Sequence, residues 1–237
     1  PQPDLYANFL KAFLTRYPGK IAAIEILAEE NTGTWPETKN RDAYYYTPIL
    51  KAAYQVVKEV SPNTLVLTSS LWASPVGYLE DLYAFGAKGY FDVVNFHYYP
   101  GKNSPASNYN WLISHYRKVM EKYGDGDKPI WLTEFAWNNS EERNRTGIVT
   151  TKEQSDYATY VFDNSRKSGF IQKVFWYLLN DDDAMAMMHA TNNYGWQTVQ
   201  TPLISAIGSG DTTLTVSGNW TTKWPSYGTI IVDSEQI

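Results

Sequence analysis

Cysteine is absent from the sequence, and histidine occurs only three times. The first absence excludes a disulfide framework and any thiolate metal site. The scattered histidines offer no ligand spacing, so neither a metal nor another cofactor is expected. No apolar run is long enough to span a bilayer, and membrane insertion is not expected. Basic charge is also short: the 237 residues carry a formal net charge of −5. A nucleic-acid partner is therefore not expected, because phosphate binding needs a basic surface. No glycine-rich phosphate loop follows any apolar run, which weakens a dinucleotide-binding reading.

Aromatic residues are what the chain has in excess, at 16% with nine Trp and nineteen Tyr. Most rings pack cores, but rings also stack on the C–H faces of sugars, so a carbohydrate is the expected partner.

Periodicity organises the rest. Residues 4–17 place Leu5, Phe9, Leu10, Phe13, Leu14 and Tyr17 on one helical face, with Asp4 as the expected N-cap. Short apolar runs near residues 21–29, 64–70, 91–99, 129–135 and 173–179 read as strands. Helical segments separate them, at 41–60, 76–87, 108–124 and 151–169, the last opened by an expected capping box from Thr151 to Gln154. A helix, four strand–helix units and a closing strand, each strand almost continuously apolar, predict a parallel sheet covered by helices. An open doubly wound sheet and part of a (β/α)₈ barrel both fit that order. Polar and aromatic residues gather where the strands end, at Glu29, Thr68, His97, Tyr99, Glu134 and Trp176, which favours the barrel.

The fold expected is thus α/β, a partial (β/α)₈ TIM barrel of about strands four to eight, over residues 1–200. From residue 201 the texture turns to Thr, Ser and Gly with period-two alternation, so residues 201–237 read as the start of a small β-rich module. The segments "PQPDLY" and "VDSEQI" at the two ends both look cut, and a longer parent chain is expected.

The chemistry rests on two glutamates. "KPIWLTEFAW" carries an apolar strand to Glu134 among aromatic rings, and Glu29 ends an earlier strand. Two carboxyls across a barrel mouth suit glycosidic bond cleavage, with one protonating the leaving oxygen and the other attacking the anomeric carbon or activating water. Carboxyls about 5–5.5 Å apart give retention and roughly 6.5–9.5 Å inversion, and sequence spacing does not decide between them.

These segments resemble those of a large clan of retaining glycoside hydrolases, the β-xylosidase-like and cellulase-like (β/α)₈ enzymes with catalytic glutamates after strands four and seven. "KPIWLTEFAWN" is similar to the seventh-strand segment, "IAAIEILAEENTGTW" to the fourth, "FDVVNFHYYPG" to the sixth and "VFWYLL" to the eighth. The resemblance implies Glu134 as nucleophile, Glu29 as acid/base, His97 and Tyr99 as the pair lining the nucleophile's side and Trp176 as a sugar platform. Trp137 and Asn31 complete the expected substrate-binding set. It implies hydrolysis of β-linked poly- or oligosaccharides by double displacement, at an extracellular or cell-surface location.

The departures are specific. Ala28 stands where the clan has Asn, whose amide contacts the substrate 2-hydroxyl; Leu27 replaces Trp, and Glu30 replaces Pro. Strands one to three have no counterpart and would come from the parent chain or another copy. The β-rich tail loosely resembles modules of phage tails and bacterial surface proteins. An alternative reading is therefore a catalytically degenerate barrel that binds carbohydrate or builds an appendage or virion.

Overall fold

The computed structural model describes residues 2–31, 43–72, 76–139 and 148–177. All of them belong to one unit, Pro1–His189. The expected β-rich module at 201–237, the end of the last predicted strand and the last part of the 1–200 domain lie outside the described residues.

The elements alternate as predicted. Helix α1 (Pro3–Arg16) leads into β1 (Ala23–Glu25), α2 (Ala43–Val60), β2 (Leu65–Leu67), α3 (Val76–Ala84) and β3 (Val94–Tyr98). A single 3₁₀ turn (Pro105–Ser107), α4 (Tyr109–Lys122), β4 (Ile130–Phe135), α5 (Thr151–Ser168) and β5 (Ile171–Trp176) complete the series. Two expected caps are displaced. Pro3 opens α1 behind Gln2, so Asp4 lies in the first turn, where its charge suits the helix dipole. The α5 capping box is Thr150 with Glu153, one residue earlier than expected. Thr150 Oγ1 accepts from the Glu153 amide, and the Glu153 carboxylate accepts from the Thr150 amide.

Every strand pair among the described residues is parallel. β1 pairs with β2, and β3–β4–β5 form a second ladder. The bridges Leu67–Val93 and Leu71–Phe96 join the two ladders into one arc with strands in chain order. Sequential parallel strands with a helix after each are the repeating unit of a (β/α)₈ barrel, and the arc is part of one.

Alternation along the strands sorts residues into two cores. Val66, Val94, Phe96, Ile130 and Leu132 face the helices and join Leu50, Val57, Leu79, Leu112, Tyr116 and Val161 in the main core. Leu67, Val93 and Trp131, with Ala23 and Leu65, make a smaller cluster on the other face of the sheet. Directly above it in chain register comes a polar layer. The buried Asn95 amide accepts from Thr68 Oγ1 at 2.8 Å and donates to Thr133 Oγ1 at 3.2 Å. A hydrogen-bonded belt across β2, β3 and β4 satisfies groups that burial would otherwise leave costly. It forms a floor for what stands at the strand ends.

Candidate active site

His97 and Glu134 come together through an irregularity in the sheet. Val94, Asn95 and Phe96 pair with Ile130, Trp131 and Leu132 in strict order, but His97 pairs with Glu134, not Thr133. One extra residue in β4 re-aims the strand, as a bulge does. It places Glu134 beside an inward-facing histidine and leaves Phe135 fully buried on the helix side.

Glu29 arrives differently. The chain leaves β1 after Glu25, and Leu27 and Glu29 take left-handed backbone angles, φ 60° and 54°. Such angles cost a residue other than glycine roughly 1–2 kcal/mol. Several bonds hold the turn. The amide of Glu29 donates to the Ser70 carbonyl at 3.0 Å and that of Glu30 to Ser69 Oγ at 3.1 Å. The buried Tyr46 hydroxyl, from α2, donates to the Ile26 carbonyl and accepts from the Ser69 amide. Burial raises the pKa of Tyr46, so it stays a hydroxyl and can do both.

The result is one connected group. His97 Nδ1 lies 2.8 Å from Glu29 Oε1 and 3.4 Å from Glu134 Oε2. Tyr99 donates to Glu134 Oε2 at 2.6 Å. A carboxylate oxygen of Glu29, one of Glu134 and the His97 nitrogen all fall within 4.8 Å of one another. Both neighbours of Nδ1 are acceptors when ionised, so the ring is oriented as an Nδ1–H donor. His97 is 3% exposed, whereas the two carboxylates keep 27% and 32% of their surface open to a ligand. Burial and the bond to Glu134 push the Tyr99 hydroxyl well above the usual tyrosine range, which keeps it a donor.

This imidazole and two carboxylates are also the group of ligand-type side chains that could hold a cation among the described residues. They come from β3, β4 and the turn after β1, so no sequence spacing announced them.

The other expected site residues are placed as follows. Asn31 holds the backbone of Trp72, donating to its carbonyl at 2.9 Å and accepting from its amide at 3.0 Å. Trp137 is 1% exposed, packed among Tyr98, Phe135, Tyr157 and Trp176, with its indole donating to the Asn103 carbonyl. It has no open face for a sugar, and its expected role is corrected to support beneath the site: Phe135 and Trp137 pack on the helix side, against Phe162 and Tyr157 of α5. Trp176 packs on Phe135, ring centres 5.0 Å apart, and on Trp137. The exposed ring that reaches Tyr99 is its neighbour Tyr177, edge-on at 6.3 Å.

Sequence reasoning missed Glu25. It ends β1 on the inner side, where burial raises its pKa and Ser70, His97 and Thr133 partly offset that. Its signal was available: a carboxylate inside an apolar run has to be buried or displaced. Partial burial likewise raises the pKa of Glu30, which stands beside Glu29.

A parallel barrel arc with two carboxylates converging at the C-terminal ends of its strands defines a class, the glycosidase-type (β/α)₈ proteins. The family model described as glycosyl hydrolase catalytic core matches residues 41–201, and the chain belongs to that family. No curated protein matches the chain. Solved structures share its fold at low identity. A glucosidase from Croceicoccus marinus is 14% identical with a TM-score of 0.63, over 79% of this chain and 42% of that one. A GH128 endo-β-1,3-glucanase from Sorangium cellulosum is 18% identical at 0.56, over 79% and 70%. A GH39 β-xylosidase from Caulobacter crescentus is 18% identical at 0.53, over 79% and 40%. The chain thus spans less than half of the glucosidase and of the xylosidase.

Proposed function

We propose that this chain carries the catalytic centre of a retaining glycoside hydrolase acting on β-linked poly- or oligosaccharides. The observation that carries the reading is the approach of the Glu29 and Glu134 carboxylate oxygens to within 4.8 Å, with His97 between them. So close an approach of one oxygen from each group favours the short carboxyl separation of a retaining pair over the roughly 6.5–9.5 Å of an inverting one.

In the first step a Glu134 oxygen bonds to the anomeric carbon while the Glu29 carboxyl gives its proton to the leaving oxygen. The glycosidic C–O bond breaks, and an ester links sugar to Glu134. In the second step Glu29 takes a proton from water, the water oxygen bonds to the anomeric carbon, and Glu134 leaves as carboxylate. Tyr99 orients the nucleophile through its 2.6 Å bond, and His97 holds Glu29 in place. Tyr177 and Trp72 offer exposed rings for sugar faces at the same rim. In this reading the barrel strands beyond the five among the described residues come from a longer parent chain or from another copy.

One observation favours a second reading, in which the barrel binds sugar without cleaving it. Ala28 has no polar group to meet a substrate hydroxyl beside Glu29, and that contact strengthens in the transition state.

Azide separates these readings. With a β-glycoside bearing a good leaving group, Glu134→Ala plus azide should yield the α-glycosyl azide, because azide replaces the nucleophile. Glu29→Ala plus azide should yield the β-azide, because azide attacks the glycosyl ester. Exchanged anomers would reverse the two roles. Saccharide binding with no turnover of any β-glycoside by the unaltered protein would favour the binding module.

A further inference from the structure

We infer that Trp72 is the platform for the saccharide unit on the leaving-group side of the cleaved bond, an inference that rests on the proposed roles of Glu29 and Glu134. Trp72 follows β2 at the same strand ends as the two glutamates. Its predecessor Leu71 bridges Phe96, and the Leu71 carbonyl accepts from the His97 amide at 2.9 Å. Its own amide and carbonyl are both held by the side chain of Asn31, two residues beyond Glu29. The backbone carrying this indole is therefore tied to the turn that presents the acid and to the strand that presents His97.

Despite that fixation, Trp72 keeps 41% of its surface exposed. Most of the other large exposed rings, Phe9, Tyr44, Tyr45, Trp111 and Phe162, lie on the helices. Phe175 is exposed within β5, and Trp72 and Tyr177 lie at strand ends, Trp72 tied through Asn31 to the Glu29 turn and Tyr177 against Tyr99. Tyr177 edges Tyr99, the partner of Glu134. Trp72 stands on the Glu29 side. The nucleophile's side receives the sugar that becomes esterified, and the acid's side receives the sugar that departs. An exposed indole whose backbone is tied to the acid's turn meets the departing unit in this proposal, stacking on its apolar C–H face. Asn31 is then a positioning residue for the platform.

The test compares the full-length protein with Trp72→Ala and Trp72→Phe on two kinds of substrate. One is a panel of β-linked tetrasaccharides of glucose, xylose, mannose and galactose. The other is the matching glycosyl fluorides, whose leaving group has no ring. In Trp72→Ala the ratio of kcat/KM on the preferred tetrasaccharide to that on its fluoride should fall about tenfold, with most of it restored in Trp72→Phe. An unchanged ratio overturns the platform, whether both substrates lose activity together or neither does. If the unaltered protein turns over no substrate, the same tetrasaccharides are titrated by tryptophan fluorescence. Weaker binding by Trp72→Ala than by Trp72→Phe then sustains the platform although the hydrolase reading has failed. Equal affinity of the two variants, or no binding by the unaltered protein, overturns it.

Discussion

The two glutamates meet in one group, yet the chain delivers them by opposite means. Glu134 stays in a ladder: β4 pairs on both sides, and a single extra residue swings the side chain beside His97. Glu29 stands outside a strand of only three residues, on a left-handed backbone held by Ser69, Ser70 and Tyr46. One carboxylate is positioned by sheet register and the other by stored strain that surrounding bonds over-determine. Strained backbone of that kind collects where a side chain has to be held in one place for chemistry.

The sharpest way to probe the strained side is at Ala28, between the two left-handed residues. Ala28→Asn adds an amide beside Glu29. If the amide meets the substrate mainly in the transition state, kcat should rise about tenfold or more with KM nearly unchanged, read from initial rates on an aryl β-glycoside. An increase confined to binding would mean that the new group recognises the ground state.

Paired substitutions then separate the two backbones. Glu29→Gly and Glu29→Ala lose the same contact with His97 and differ mainly at the backbone. At a positive φ the glycine variant should be the more stable, by about 1 kcal/mol. At Glu134, in a ladder, the order should reverse, glycine being less stable than alanine by about 0.5–1 kcal/mol. Urea midpoints of the four proteins check both signs, and the same order at both sites would remove the contrast.

The smallest effect concerns Glu25, below both. Its folded pKa is raised, so its contribution to stability is complete below the ordinary carboxylate range and is lost as pH rises through the raised value. Glu25→Gln removes that loss. The variant should melt above the unaltered protein at neutral pH, and the gap should close as pH falls into the acid range. A Tm difference that does not change with pH would place Glu25 in solvent.

Local pattern carried much of the fold. The apolar runs at residues 64–67 and 130–135 and the helical faces of 4–17 and 151–168 mark their elements because period and burial are properties of a few neighbouring residues. The family resemblance of the strand-end segments also marked Glu29, His97, Tyr99 and Glu134, which the structure brings together. The caps moved, by two residues at α1, where Pro3 suits the first helical position behind Gln2, and by one at α5, where Thr150 takes the role expected of Thr151.

What the sequence by itself determined was the order of strands and helices, and Glu134 near the end of β4; Glu29 falls in the turn beyond β1. Tertiary structure alone decided that Thr133 is the extra residue in β4, that Asn31 holds Trp72, that Trp137 is buried and that Tyr177 reaches Tyr99. It also decided that one histidine stands between two carboxylates. The physical reason is range. Hydrophobic period is written within a segment, whereas register, bulges and left-handed turns depend on hydrogen bonds to strands that are tens of residues away.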